Sequence, residues 1–235
     1  MINFEVKNHF GIITLKNLPG NKLDVPDFLD LGELVEFVES NKLKALIIKG
    51  AGRHFSSGAD VENLKKLVKD NSLGTRLDEG KRILNYIYDL NIPVIAAIEG
   101  ACFGGGLEIA LAAHVRVISE KALLAFPESS INLMPGLGGS YIIKRFASFG
   151  QSIDIMLTGD TINSDKAMKM GLADFCVPAK TAYDYALDMA ERITKDKPLK
   201  VINNIMQALK NSYVMSRDEA LEEETRLFCE LAKTM

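Results

Sequence analysis

The chain has no excess of positive charge. Its 28 lysines and arginines stand against 31 aspartates and glutamates, a net charge of −3 over 235 residues. It also lacks any basic run interleaved with aromatics, and the two absences together exclude the electrostatic footprint of a nucleic-acid surface. Cysteine is scarce. Cys102, Cys176 and Cys229 are odd in number, far apart and outside any CxxC pair. That argues against a disulfide framework or a structural zinc site and predicts buried free thiols in a reducing cytoplasm. No window stays apolar for the length of a bilayer, and "MINFEVKNHFGIITL" alternates and carries Glu5 and Lys7 where a signal peptide would be apolar. A cytoplasmic protein without a membrane partner is expected. Repeats, low-complexity segments and flexible linkers are absent too. What remains is a chain that is 47% hydrophobic and 25% charged, enough to bury one sizeable core, with or without a helical extension.

The periodicities alternate in kind along the chain. "NFEVKNHFGIITLKN" reads as a hairpin turning at Asn8 to Gly11, and "DVPDFLDLGELVEFVES" spaces Phe28, Leu31, Leu34, Val35 and Val38 as a helix, with Asp24 or Asp27 as caps. "LKALIIKGAG" is a short buried strand, Ala59 to Leu90 is helical with a break near "DNSLG", and "IPVIAAIEGA" is a further strand. After a triple glycine come a helix, the strand "VRVISEKALLAF" and a last extended piece at Leu172 to Pro178. The order indicates an α/β fold with a mostly parallel sheet. Beyond it the pattern is helical alone, broken at Pro198 and around Ser212.

In "GACFGGGLEIALAAH", Gly100 to His114, three glycines precede a helix whose single ionised side chain is Glu108. A dinucleotide loop would need G-x-G-x-x-G, and the position required after Gly104 and Gly106 is Ile109; a Walker loop would need Gly-Lys-Ser/Thr. Neither is here. Glycines at a helix start serve a different purpose: they let a ligand reach backbone N–H groups that have no intrahelical partner, where the dipole adds roughly half a positive charge. A second loop, "GAGRHFSSGADVENL", has the same qualities, with Ser57-Gly58-Ala59 running into a helix capped by Asp60. Two amides from two such loops could hold the developing oxyanion of a thioester. An acid in a first helical turn also stabilises the dipole by about 0.3 to 1 kcal/mol, so Glu108 alone identifies nothing, and Glu128 in "FPES" alone reads as a solvated loop acid.

Taken together, "FSSGADV", "IPVIAAIEGACFGGGLEIALAAHVRV", "FPESSINLMPGLGGS" and "LTGDTINSDKAMKMGLADFCVP" resemble the enoyl-CoA hydratase/isomerase superfamily, the crotonase family, in the family's order from about Leu46 to Pro178. The resemblance implies a crotonase-like (ClpP/crotonase) spiral of ββα units over residues 1–190. It also implies a helical trimerisation region over 191–235, shorter than usual for the family. The backbone N–H groups of Ala59 and Gly105 are then expected to form the oxyanion hole. Glu108 and Glu128, twenty residues apart as in the family's hydratases, become the water-activating base and the acid at the α carbon. Ser57, Gly58, Asp60, Gly104 and Gly136 are the substrate-binding candidates. No metal or organic cofactor is implied, coenzyme A being part of the substrate, and the expected assembly is a homotrimer or hexamer.

The resemblance breaks at two places that touch the substrate. "LPGNKLDVPDF" replaces the family's Asn-Ala-Leu segment that helps wall the adenine pocket, and Glu62 stands where a lysine often follows the first loop, with Lys65 and Lys66 a turn further on. Three readings stay open: hydration or dehydration of an enoyl-CoA, isomerisation or dehydration of a thioester on acyl carrier protein, and a silent scaffold. His9, His54 and His114 have no metal-ligand spacing, Ser56, Ser57 and Ser129 lack a nucleophile elbow, and "MPGLGGS" reads as a structural turn into a helix near Gly138.

Overall fold

The computed structural model describes residues 2–233. Strands β1 (Ile2–Lys7) and β2 (Phe10–Leu15) form the hairpin, turning at Asn8 and His9. There follow α1 (Leu31–Ser40), β3 (Ala45–Gly50), α2 (Val61–Lys69), α3 (Leu73–Asp89), β4 (Val94–Ile98), β5 (Ala101–Phe103) and α4 (Gly105–Ala112). The chain continues through β6 (Val115–Ser119), β7 (Leu123–Ala125), a 3-10 turn at Pro127–Ile131, α5 (Gly139–Ile142), a second 3-10 turn at Ile143–Arg145 and α6 (Phe149–Thr158). Last come β8 (Ile162–Asn163), α7 (Ser164–Met170), β9 (Phe175–Val177), α8 (Ala182–Thr194), α9 (Leu199–Val214) and α10 (Arg217–Ala232).

Two sheets organise these elements. The larger has the order β1-β2-β3-β4-β6-β9, parallel except for the β1–β2 hairpin, and the smaller has the order β5-β7-β8. Burial on both faces explains the unbroken apolar runs of the central strands. Along β3, Leu46 and Ile48 enter the main core with Leu34, Ile83 and Leu107, whereas Ala45 and Ile47 face the other way, onto Ala186, Met189 and Ala190 of α8.

Each repeat of the spiral passes from the large sheet to a short extended segment and then to a helix. Strand β3 leads to Ser56, which bridges Cys102 in parallel, and then to α2; β4 leads to β5 and α4; β6 leads to β7 and the first 3-10 turn. The expected crotonase-like α/β spiral with a helical carboxy-terminal region is the observed one. Helix α9 turns back onto the main core through Ile202, with Leu199 and Met206 beside it, and packs along α10.

Several local expectations are corrected. "VRVISEKALLAF" is two strands in two different sheets, and "IPVIAAIEGA" is likewise split, because turns at Glu120–Lys121 and at Glu99–Gly100 redirect the chain. Helix α1 is capped by Asp30, which accepts from the Glu33 N–H, while Asp27 pairs with Arg76 and Asp24 accepts from Asn17. The last helical break falls at Met215–Ser216, where Ser216 and Glu219 close a capping box, three to four residues beyond Ser212. Cys102 is buried as expected, but Cys176 and Cys229 are exposed. Among the described residues, no helix is long and apolar enough to cross a membrane.

Candidate active site

Three parallel segments end side by side, and the site lies just past their ends. Ser56 bridges Cys102, with the Phe103 N–H donating to Ser56 O at 2.9 Å; β5 then pairs with β7 in the register Phe103 to Ala125, continued by Gly104 N–H to Ala125 O at 2.9 Å. Whatever follows Ser56, Phe103 and Ala125 must therefore meet: Gly58-Ala59, Gly104-Gly105 and Pro127-Glu128. Ligand sites in open α/β sheets gather at such carboxyl ends of parallel strands.

Glycine is required where these loops touch. Gly58 and Gly104 have φ of +86° and +53°, values that side chains disfavour. A methyl group on Gly58 would sit 2.8 Å from Phe103 O, and one on Gly104 would sit 2.9 Å from Glu128 Oε1 and 3.9 Å from Gly58 Cα. Among the described residues, neither the Ala59 nor the Gly105 N–H has a hydrogen-bond partner. Both belong to adjacent loops, and Gly105 opens α4 at its positive end.

The two expected carboxylates border the same glycines. Glu108, in the first turn of α4, is 2% exposed, and its Oε1 accepts from the Leu137 and Gly139 N–H groups at 2.7 Å each. A methyl on Gly105 would lie 4.0 Å from its other oxygen, Oε2. Burial pushes the Glu108 carboxyl up to about 7, opposed by the amides of Gly139 and Leu137 and reinforced by the nearby charge of Glu128. Glu128, on the 3-10 turn after β7, is also raised by burial, and its Oε2 is buried without a hydrogen-bond partner.

The remaining candidates divide. Gly58 and Gly104 form the loop contact, and the backbone amide of Gly136 favours the charged form of Glu108. Ser57 is half-buried and donates its N–H to Gly20 O at 2.8 Å. Asp60 caps α2 by accepting from the Glu62 and Asn63 N–H groups and pairs with Lys22 at 3.2 Å; the Asn63 amide first, and Lys22 after it, hold its carboxyl below the usual range. Its side chain is thus committed to the fold of the loop. His54 and His114 are structural too: His54 Nδ1 accepts from the Ala101 N–H, and His114 joins Val94 N–H to Tyr88 O. Among the described residues no cluster of His, Cys, Asp or Glu could hold a metal ion.

Two features were not visible as site elements in the sequence. The "MPGLGGS" turn supplies the amides that hold Glu108, so its glycines do more than turn the chain: a methyl on Gly139 would lie 3.1 Å from Glu108 Oε1. Asn21 is 1% exposed at φ +52° and donates its Nδ2 to the carbonyls of Ala51, His54 and Phe55, while its own carbonyl accepts from Ser56 Oγ at 2.7 Å. It pins the loop that carries Ala59. The sequence signal was only a Gly-Asn turn pair.

The family model described as enoyl-CoA hydratase/isomerase matches residues 5–235. The chain belongs to the enoyl-CoA hydratase/isomerase family. It is 40% identical over 173 residues to the fatty acid oxidation complex subunit alpha of Shewanella amazonensis, an alignment covering 71% of this chain but only 24% of that protein. It is 27% identical over 231 residues to a probable enoyl-CoA hydratase of Bacillus subtilis, covering 97% and 89% of the two chains. Among solved structures, an enoyl-CoA hydratase from Polaromonas sp. JS666 superposes with a TM-score of 0.89 at 24% identity, over 97% of this chain and 90% of that one. The enoyl-CoA hydratase from Bacillus anthracis superposes with 0.84 at 25% identity, over 97% and 89%. The first relative named is thus about four times longer than the part this family member matches.

Proposed function

We propose that the protein adds water to a 2-enoyl thioester, or removes it from the 3-hydroxyacyl thioester, with coenzyme A as the carrier group. The observation that carries this reading is the pairing of a buried and a half-buried carboxyl, both of raised proton affinity, with two partnerless amides on adjacent glycine loops. Two acid–base groups are what hydration needs: one to take a proton from the water attacking C3, one to give a proton to C2.

Glu108 suits the first role. With Oε1 fixed by two amides, Oε2 is left to orient the water, and a carboxyl titrating near 7 is both available as a base and basic enough to take the proton. Glu128, raised by burial, is the proton donor to C2, and the roles exchange in dehydration. The charge that develops on the thioester oxygen falls on the N–H groups of Ala59 and Gly105 and on the start of α4; one such donor typically contributes about 2.7 to 4 kcal/mol of barrier lowering. Isomerisation of an enoyl thioester is the second reading, favoured by Glu128 Oε2, a single partnerless carboxyl oxygen able to carry a proton between carbons.

The test is loss of crotonyl-CoA enoyl absorbance, with Glu108→Gln and Glu128→Gln as controls and the same acyl groups offered on acyl carrier protein. If wild type leaves every thioester unchanged, hydration is wrong; if Glu108→Gln still moves the double bond while Glu128→Gln does not, isomerisation is the right reading. We further propose assembly as a homotrimer or hexamer through the apolar side chains that α6, α9 and α10 leave exposed, among them Phe149, Leu157, Tyr213 and Phe228. Light scattering of the purified protein checks this.

A further inference from the structure

The cavity beside Glu108 is small and partly open, with the exposed Asn85 and Tyr141 at its rim. It holds about 70 Å³ between α3, α4 and the segment after Gly136, and its walls include Leu84, Tyr88, Ala112, Leu137, Ile142 and Arg145. A dry cavity of about 150 Å³ holds one benzene ring, so this one has room for roughly half of that, three or four carbons. Its core-side wall is stiff. Leu84 and Leu137 are buried in the main core, and α3 locks against the loop before α5: a methyl on Gly80 would meet Leu137 at 2.6 Å, and one on Gly136 would meet Leu77 at 2.8 Å. At the far side the Arg145 guanidinium stacks over the Tyr88 ring at 4.0 Å. Ala112 is one helical turn beyond Glu108 on α4, so the space runs along that helix by roughly 6 Å before the stacked pair.

Resting on the hydration reading, which sets C3 of the substrate at Glu108, we infer that this cavity receives the end of the acyl chain and restricts the enzyme to short-chain enoyl thioesters, with the Tyr88–Arg145 stack as the stop. Carbons beyond C3 enter the cavity, a crotonyl methyl fits, and an octenoyl tail runs past the space before the Tyr88–Arg145 stack. One surplus methylene in an apolar pocket is worth about 10- to 200-fold in discrimination. Tyr88 is a suitable place to intervene because its backbone carbonyl, not its ring, accepts from His114.

The experiment measures kcat/KM for but-2-enoyl, hex-2-enoyl, oct-2-enoyl and dec-2-enoyl thioesters, on CoA and on N-acetylcysteamine, for wild type, Tyr88→Ala and Arg145→Ala. Binding of butyryl-CoA and octanoyl-CoA is measured in parallel by calorimetry. Wild type is expected to lose at least about 100-fold from the four-carbon to the eight-carbon substrate. At least one of the two variants, shown to be folded by circular dichroism, is expected to raise the eight-to-four-carbon ratio about tenfold or more. A flat wild-type chain-length profile overturns the inference, and so does a ratio unmoved in both folded variants. If nothing turns over, hydration fails, yet the calorimetry still decides the cavity: preference for butyryl-CoA supports the length limit, and equal or tighter binding of octanoyl-CoA overturns it.

Discussion

Replacing Glu108 by Gln should make the protein more stable while abolishing hydration, and the gain should depend on pH in a defined direction. The folded carboxyl titrates at about 7 against an ordinary value of 4.5, chiefly because burial disfavours its charge. A raised acid means that the folded state holds a proton the unfolded state has released, so stability falls as pH rises from 4.5 to 7 and is level outside that window. At about 1.4 kcal/mol per pH unit the full cost is about 3 kcal/mol above pH 7. Glutamine keeps a carbonyl oxygen to accept from the Leu137 and Gly139 N–H groups and carries no charge to desolvate. The variant should therefore match wild type below pH 4.5 and exceed it by about 3 kcal/mol at pH 8.5, roughly 6 to 12 °C in melting temperature for a chain of this size. Thermal denaturation of both proteins at equal concentration across pH 4 to 9 is the assay. A difference that does not change with pH, or a Gln variant that melts below wild type at pH 8.5, would show that burial does not dominate at Glu108.

Gly104→Ala should lower kcat about 100-fold with a smaller loss of stability, about 1 to 2 kcal/mol from its positive φ, because the new methyl displaces the Glu128 carboxylate from 2.9 Å away; steady-state kinetics beside a melting curve separate the two. Asn21→Ala removes the donor shared by the Ala51, His54 and Phe55 carbonyls and should cost about 1 to 3 kcal/mol, with kcat falling more than KM rises as the Ala59 amide drifts; an unchanged kcat in the folded variant would refute the positioning role. Asp174→Asn strips the counter-charge from Arg116, which is 3% exposed and also stacks on Phe146. Because Asp174 is itself 37% exposed, the expected loss is about 2 to 3 kcal/mol by urea denaturation, below the range of a fully buried pair. Burial holds His114 neutral in the fold and pushes its proton affinity below the ordinary 6.5, so it contributes stability above that pH that is lost as pH falls below it. His114→Asn should flatten this acid limb of the stability profile.

The fold was legible because its strands are short apolar runs buried on both faces and its helices are amphipathic or capped, signals that survive in a single sequence. Boundaries were harder. The splits at Glu99–Gly100 and Glu120–Lys121 look locally like interruptions of one strand, and only pairing shows that each half belongs to a different sheet. The two-residue β8 is set by its partner Leu124 and has no periodicity to read. Of the site, the glycines and both glutamates were visible as residue types at a spacing. The amides of Leu137 and Gly139 were not, since a backbone N–H leaves no letter in the sequence. Asn21 was hidden for the same reason: its function is to satisfy carbonyls about 30 residues away.

The side-by-side ending of three parallel segments also bears on the order in which the molecule assembles. Ser56 reaches across 46 residues to Cys102, and Phe103 across 22 to Ala125, so no single local segment builds the site. Closing such loops costs chain entropy before any contact repays it, which makes these pairings late events in folding. The Gly104 amide proton, bonded to Ala125 O, should accordingly exchange with solvent only through openings that separate these segments. Its protection then reports on the integrity of the candidate site's glycine turn in a resting protein, before any substrate is added.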